Sequence, residues 1–137
     1  MTYITWNKNL LTNIKKIDEQ HKNLIVLIND FHRQLLMGKG RESIQITIAQ
    51  LVKYTMEHFS TEEKFMLDHK YPGYDQQKKE HETFLPKLKE FHKKYMENRP
   101  LVAREILIFL GDWYRNHISN IDKKLGEFIN TVDSNKQ

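Results

Sequence analysis

Three breaks divide the chain, "MGKG" (37–40), "YPG" (71–73) and "NRP" (98–100), and between them apolar residues recur at helical spacing. The first predicted helix starts near Asp18, read as its N-cap, and carries His21, Ile25, Ile28 and Leu35 on one stripe. The second runs from about Arg41 to Asp68, with Ile44, Ile48, Leu51, Thr55, His58, Glu62 and Phe65 on one side. The third runs from about Tyr74 to Glu97 through Gln77, His81, Phe84, Leu88, Phe91 and Tyr95, and Pro86 predicts a kink near its middle. The fourth follows Pro100, read as a first-turn residue, and aligns Ile106, Leu110, Trp113, His117, Ile121 and Leu125. Residues 1–17, with Trp6, Leu10, Ile14 and Ile17, read as an extended or irregular N-terminal arm, and the polar residues 132–137 as a fraying tail. Short breaks between long helices predict an all-α protein: one domain over 1–137, an antiparallel up-down-up-down four-helix bundle. Another all-α packing of the same helices is the alternative.

Composition narrows the chemistry. The 137 residues suffice for one compact domain with a sizeable core. No cysteine is present, which excludes disulfides, thiolate metal sites and iron–sulfur clusters. The net charge of +4 is modest and the lysines alternate with acids, which reads as solubility rather than a nucleic-acid surface. No apolar run approaches the roughly 20 residues of a membrane span, and the first residues lack an uninterrupted apolar secretory core. The expected setting is cytoplasmic, with no membrane or nucleic-acid partner, and the expected state is a monomer.

Each predicted helix carries one histidine on its apolar stripe. His21 lies early in the first, His58 late in the second, His81 early in the third and His117 late in the fourth. In an up-down-up-down bundle those positions converge at one end of the core. Glu62 follows His58 by four residues, about 40° round the helix, and points the same way. Asp122 follows His117 by five, about 140° round an α-helix, so it is expected to reach inward only from the edge of the stripe. Buried carboxylates need a cationic partner, and imidazole with carboxylate and no thiolate suits iron, zinc or manganese. Four imidazoles and two acids exceed the needs of one metal and suit a pair. His32 and His92 each lie eleven residues past a site histidine, roughly 16 Å along the helix, too far for the same metals. Rim or surface positions are expected for both, and an exposed one for His69.

The segments "IDEQHK" (17–22), "HFSTEEKFM" (58–66), "YPGY" (71–74), "EHETF" (80–84) and "WYRNHISNID" (113–122) resemble the hemerythrins, most closely the single-domain bacterial ones. The resemblance runs from Trp6 to about Ile129. It implies a non-haem centre of two iron ions joined by an oxo or hydroxo bridge, used to bind dioxygen reversibly. It also implies that His21 and His58 hold one iron, that His81 and His117 hold the other, and that Glu62 and Asp122 bridge them.

Two positions depart from the family pattern. A third histidine on the second iron, four residues before the counterpart of His81, is Gln77 here. The family's usual leucine after the helix tryptophan Trp113 is Tyr114, a small-ligand-pocket position. The resulting expectation is a di-iron protein that binds dioxygen or a related small oxidant as carrier, sensor or scavenger. Gln77 would be a candidate metal ligand through its amide oxygen, or hold a water that is, with a swing outward as the third option. Trp113 and Tyr114 would line the ligand pocket. Oxidase or peroxidase-like catalysis at the same centre is the rival reading, and a metal-free helical interaction module a third.

Overall fold

The computed structural model describes residues 3–6 and 8–135. The chain forms helices α1 (Lys15–Leu36), α2 (Gly40–Asp68), α3 (Tyr74–Met96) and α4 (Val102–Trp113). The fourth helix does not stop at Trp113. It passes through a π-helical stretch, Tyr114–Asp122, and continues as α5 (Lys123–Asn135). The backbone of 132–135, expected to fray, is helical, and residues 136–137 of that expected tail lie outside the described residues. Helix α1 packs on α2 and α4, and α3 packs on α2 and α4, which closes the predicted bundle. Among the described residues no helix is long and apolar enough to cross a membrane.

The helix ends refine the sequence reading. Helix α1 begins at Lys15, so Asp18 is not its N-cap. Asp18 lies inside the first turns, where its carboxylate accepts hydrogen bonds from the Thr12 backbone N–H and hydroxyl, both at 2.8 Å, and from the Asn13 N–H at 3.2 Å. It holds the arm on the helix instead of starting the helix. The α1–α2 break follows the expected chemistry: Gly38 has φ +75°, and the Gly38 and Lys39 N–H groups close on the carbonyls of Leu35 and Gln34. Helix α3 continues through Pro86. Helix α4 begins at Val102, not at Pro100, because Leu101 takes a left-handed backbone (φ +65°) that no helix can include.

The arm is tied down at both ends. Asn29 of α1 accepts from the Tyr3 and Ile4 N–H groups and donates to the Ile4 carbonyl. A three-residue 3-10 turn, Lys8–Leu10, leads to Thr12, whose carbonyl accepts from Asn130 Nδ2 at 2.8 Å. Thr12 crosses α5 directly over Gly126, where a Cβ would stand 2.5 Å from the Thr12 carbonyl oxygen.

Apolar side chains form two clusters. The larger includes Leu24, Ile28, Phe31, Leu51, Phe84, Leu88, Ile106 and Leu110 and fills most of the bundle. The smaller, Ile14, Ile17, Met66, Leu125 and Ile129, closes one end. The stripe histidines and acids lie in sequence between members of these two clusters, with Tyr74, packed against the smaller one, marking that side on α3, so a polar layer is enclosed by apolar ones.

Candidate metal centre

His21, His58, Glu62, Gln77, His81, His117 and Asp122 are all buried, none more than 3% exposed. Four chain segments bring them together: α1 supplies His21, α2 His58 and Glu62, α3 Gln77 and His81, and the π-helical stretch His117 and Asp122. Ligand-capable atoms of His21, His58, Glu62 and Asp122 lie within 4.8 Å of one another, as do those of Glu62, His81 and His117. The two groups share Glu62.

Each carboxylate straddles the two histidine pairs. Glu62 turns Oε1 toward His21 Nε2 (3.8 Å) and into close contact with His58 Nε2. Its other oxygen, Oε2, faces His81 Nε2 (3.5 Å) and His117 Nε2 (3.8 Å). Asp122 divides the same way, with Oδ2 at 2.8 Å from His21 Nε2 and 3.6 Å from His58 Nε2, and Oδ1 at 3.0 Å from His117 Nε2. The expectation that Asp122 reaches in only from the stripe's edge is corrected here, since it is 1% exposed and touches three of the four histidines. The reason is the π-helix. Its i→i+5 hydrogen bonds widen the turn beyond that of an α-helix, so Asp122, five positions on, is rotated back toward the face that carries His117.

Gln77 points inward, not outward, at 1% exposure. Its Nε2 donates to Glu62 Oε2 at 2.5 Å and to Asp122 Oδ1 at 2.8 Å. Those are the two carboxylate oxygens that face the His81/His117 pair. The amide therefore occupies the second pair's side of the layer, and its Oε1 is buried without a hydrogen-bond partner.

A set of groups behind the histidines escaped the sequence reading. Gln20 Oε1 on α1 lies 2.7 Å from His58 Nδ1 on α2. Glu63 Oε2 on α2 lies 3.1 Å from His81 Nδ1 on α3, and Glu80 Oε2 on α3 lies 3.4 Å from His117 Nδ1. Each helix thus supports the histidine of the next. The signal in sequence is adjacency: Gln20, Glu63 and Glu80 sit beside His21, Glu62 and His81, about 100° round the helix, so they flank the layer and reach across to the neighbouring helix. Aromatic rings hold three imidazoles as well. Phe59 stacks on His81 (centroids 3.8 Å apart), Trp113 on His117 (4.2 Å) and Tyr54 on His58 (5.0 Å).

The remaining candidates are placed as follows. Tyr114 is half-buried against the main core at the start of the π-helical stretch, and burial raises its phenol above the ordinary value. His92 is exposed, and His32 is half-buried with its ring stacked on Tyr3 at the rim. His69, expected to be exposed, is half-buried instead, because its Nδ1 bonds to the Phe65 carbonyl at 2.8 Å as α2 ends. Two surface grooves reach the layer. One of about 600 Å³ is lined by Phe59, Glu63, Lys78 and His81, and one of about 280 Å³ by Glu80, Trp113, Asn116 and His117. Both open on the second histidine pair.

Charge in the layer calls for a cation. No lysine or arginine is buried among the described residues, so only imidazoles can supply positive charge to the two carboxylates. Burial pulls the His21 imidazole down, but hydrogen bonds to Asp122 and Glu62 outweigh it and raise it from 6.5 to about 9. His58 and His117 are raised against the same burial, each by Glu62 and Asp122. Burial pushes Glu62 and Asp122 up, and the surrounding imidazoles override it and hold both below the ordinary carboxylate range. Protons on nitrogen are thus standing in for positive charge. Gln77 Oε1 is still left without a hydrogen-bond partner, and the close contact between His58 Nε2 and Glu62 Oε1 lacks hydrogen-bond geometry. Imidazole and carboxylate donors, shared oxygens and orphaned lone pairs fit two divalent or trivalent ions of the iron, zinc or manganese class.

Known proteins agree with this geometry. The model of the hemerythrin HHE cation binding domain matches residues 12–129. Bacteriohemerythrin of Pseudomonas aeruginosa is 35% identical over 122 residues, 89% of this chain and 78% of that protein. Myohemerythrin of Sipunculus nudus is 34% identical over 111 residues, 78% of this chain and 87% of that protein. A wild-type hemerythrin crystal structure superimposes with a TM-score of 0.81 at 28% identity, covering 93% of this chain and 98% of that one. With a buried layer of histidines and shared carboxylates on four helical segments, and with these matches over most of its length, the chain belongs to the hemerythrin family, known for binding dioxygen at a di-iron site.

Proposed function

We propose that this chain holds two iron ions, one with His21 and His58 and one with His81 and His117, and that Glu62 and Asp122 bridge them. The observation that carries the reading is the split of each carboxylate, one oxygen toward each histidine pair. When bound, the iron pair supplies reversible electron donation to dioxygen or a related small oxidant. The chain's own residues do the rest. The apolar clusters on either side exclude water, and the stacked rings of Phe59, Trp113 and Tyr54 fix the imidazole planes. Gln77 sits where a donor to the second ion would stand. In a metal-loaded site its amide would turn to offer Oε1, or hold a water that coordinates. Trp113 and Tyr114 line the side from which a small ligand enters in this reading. We place the protein in the cytoplasm as a monomer, with a carrier, sensor or scavenger role.

Gln77 also favours a second reading. One imidazole fewer leaves the second ion with an exchangeable position, which suits an oxidase or peroxidase-like reaction as well as storage. Metal analysis of the purified protein tests the main reading: about two irons per chain are expected, and loss of the bridge in Glu62→Ala should lower that content. A normal iron content in Glu62→Ala overturns the bridging role. Stopped-flow spectra separate the functions, since a long-lived oxy adduct marks binding and rapid turnover marks catalysis.

A further inference from the structure

We infer that Glu63 and Glu80 are positioning residues for the second metal ion, and that they offset the imidazole that Gln77 replaces. The inference rests on the two-metal reading above. His81 and His117 turn Nε2 into the layer, where the two atoms lie 3.3 Å apart, and turn Nδ1 outward. Each Nδ1 meets a carboxylate: Glu63 Oε2 at 3.1 Å behind His81, and Glu80 Oε2 at 3.4 Å behind His117. A carboxylate accepts but cannot donate, so it fixes the proton on Nδ1 and leaves the Nε2 lone pair directed inward. It also raises the electron density of the ring and makes that nitrogen a stronger donor.

The first pair is backed differently. His58 Nδ1 meets the neutral amide oxygen of Gln20 at 2.7 Å, and His21 Nδ1 is buried with no hydrogen-bond partner. Anionic support is thus confined to the two histidines on the Gln77 side of the layer, where the family pattern has a further imidazole. The bland account makes both glutamates ordinary surface acids, since their side chains are 24% and 35% exposed and Glu63 also lies 3.5 Å from Lys78 Nζ. It does not explain why two nearly fully buried imidazoles should each aim a ring nitrogen at one of them.

The test compares wild type with Glu63→Gln, Glu80→Gln and the double variant, all loaded with iron(II). Glutamine keeps the shape and one acceptor oxygen, and it removes the charge. Release to an excess of a colorimetric iron(II) chelator is followed in time, and the visible bands of the cobalt(II)-substituted proteins report the ligand field. Wild type should release its two irons in a fast and a slow phase. In the double variant the fast phase should accelerate by about 10-fold or more while the slow phase holds, and the cobalt bands of each single variant should shift. Restoring a carboxylate as Glu63→Asp should recover part of the retention. Unchanged release and unchanged cobalt bands overturn the inference, as does equal acceleration of both phases, which would mark general loosening. Wild type that takes up no iron would instead overturn the two-metal reading itself, before any variant is compared.

Discussion

Asp122 and His117, five residues apart, project into one layer and approach to 3.0 Å because the chain between them is π-helical. An α-helix would turn Asp122 about 140° away from His117 and leave Glu62 as the only carboxylate in the layer. Asp122→Ala should therefore leave the helices in place and lower iron content from about two per chain toward one or none. Elemental analysis beside far-UV circular dichroism checks this. Full iron content in the variant would show that Asp122 is not a shared ligand.

Gln77 donates to the carboxylate oxygens that face the second histidine pair. In Gln77→His, an imidazole would replace a weaker neutral amide at that place. Slower iron release to a chelator and a longer-lived oxy adduct are expected. If release, spectrum and adduct lifetime all match the parent protein, position 77 does not contact the metals.

The metal-stripped protein should show its own pH profile. His21 is raised from 6.5 to about 9, so its share of stability is complete below 6.5 and lost as pH rises through about 9. His58 and His117 are raised too and act in the same direction. Glu62 and Asp122 are lowered from 4.5 and 3.8, so their share is present above those values and lost as pH falls through the folded-state ones. Calorimetry should place the highest Tm of the stripped protein between 4.5 and 6.5, with a fall toward pH 9. The iron-loaded protein should lack the alkaline fall, because the ions replace those protons. A Tm that stays level from pH 6.5 to 9 after stripping would count against the charged layer.

Gly126 lets the arm cross α5. A methyl group there would meet the Thr12 carbonyl oxygen at 2.5 Å, backbone that cannot swing aside as a flexible side chain would. Gly126→Ala should cost about 1–3 kcal/mol by overpacking, despite alanine's better helix propensity. Urea unfolding measures it, and a stabilised variant would mean that the arm is not held at Thr12.

Periodicity made much of this protein legible before any coordinates. Four stripes, three breaks and one histidine per stripe place His21, His58, His81 and His117 at one end of a bundle, and Glu62 follows from its four-residue step after His58. These are local facts about spacing on a helix, and a regular helix transmits them faithfully. The departure at Gln77 was equally visible, but not which atom it presents. Only the neighbouring Glu62 and Asp122 decide that the amide nitrogen faces the layer.

Other features depend on what the rest of the chain does. The α1 start at Lys15 follows from Asp18 being engaged by Thr12, a contact with the folded-back arm rather than with its own helix. Gln20, Glu63 and Glu80 read as solvated neighbours of site residues until the next helix supplies a histidine to each. The π-helical stretch is the clearest case. A window of sequence that carries α-helical stripes says nothing about a register of five, because i→i+4 bonding is the local default and i→i+5 bonding is rare. The register is decided by bringing Asp122 to three histidines on three different segments, and that demand exists only in the folded bundle.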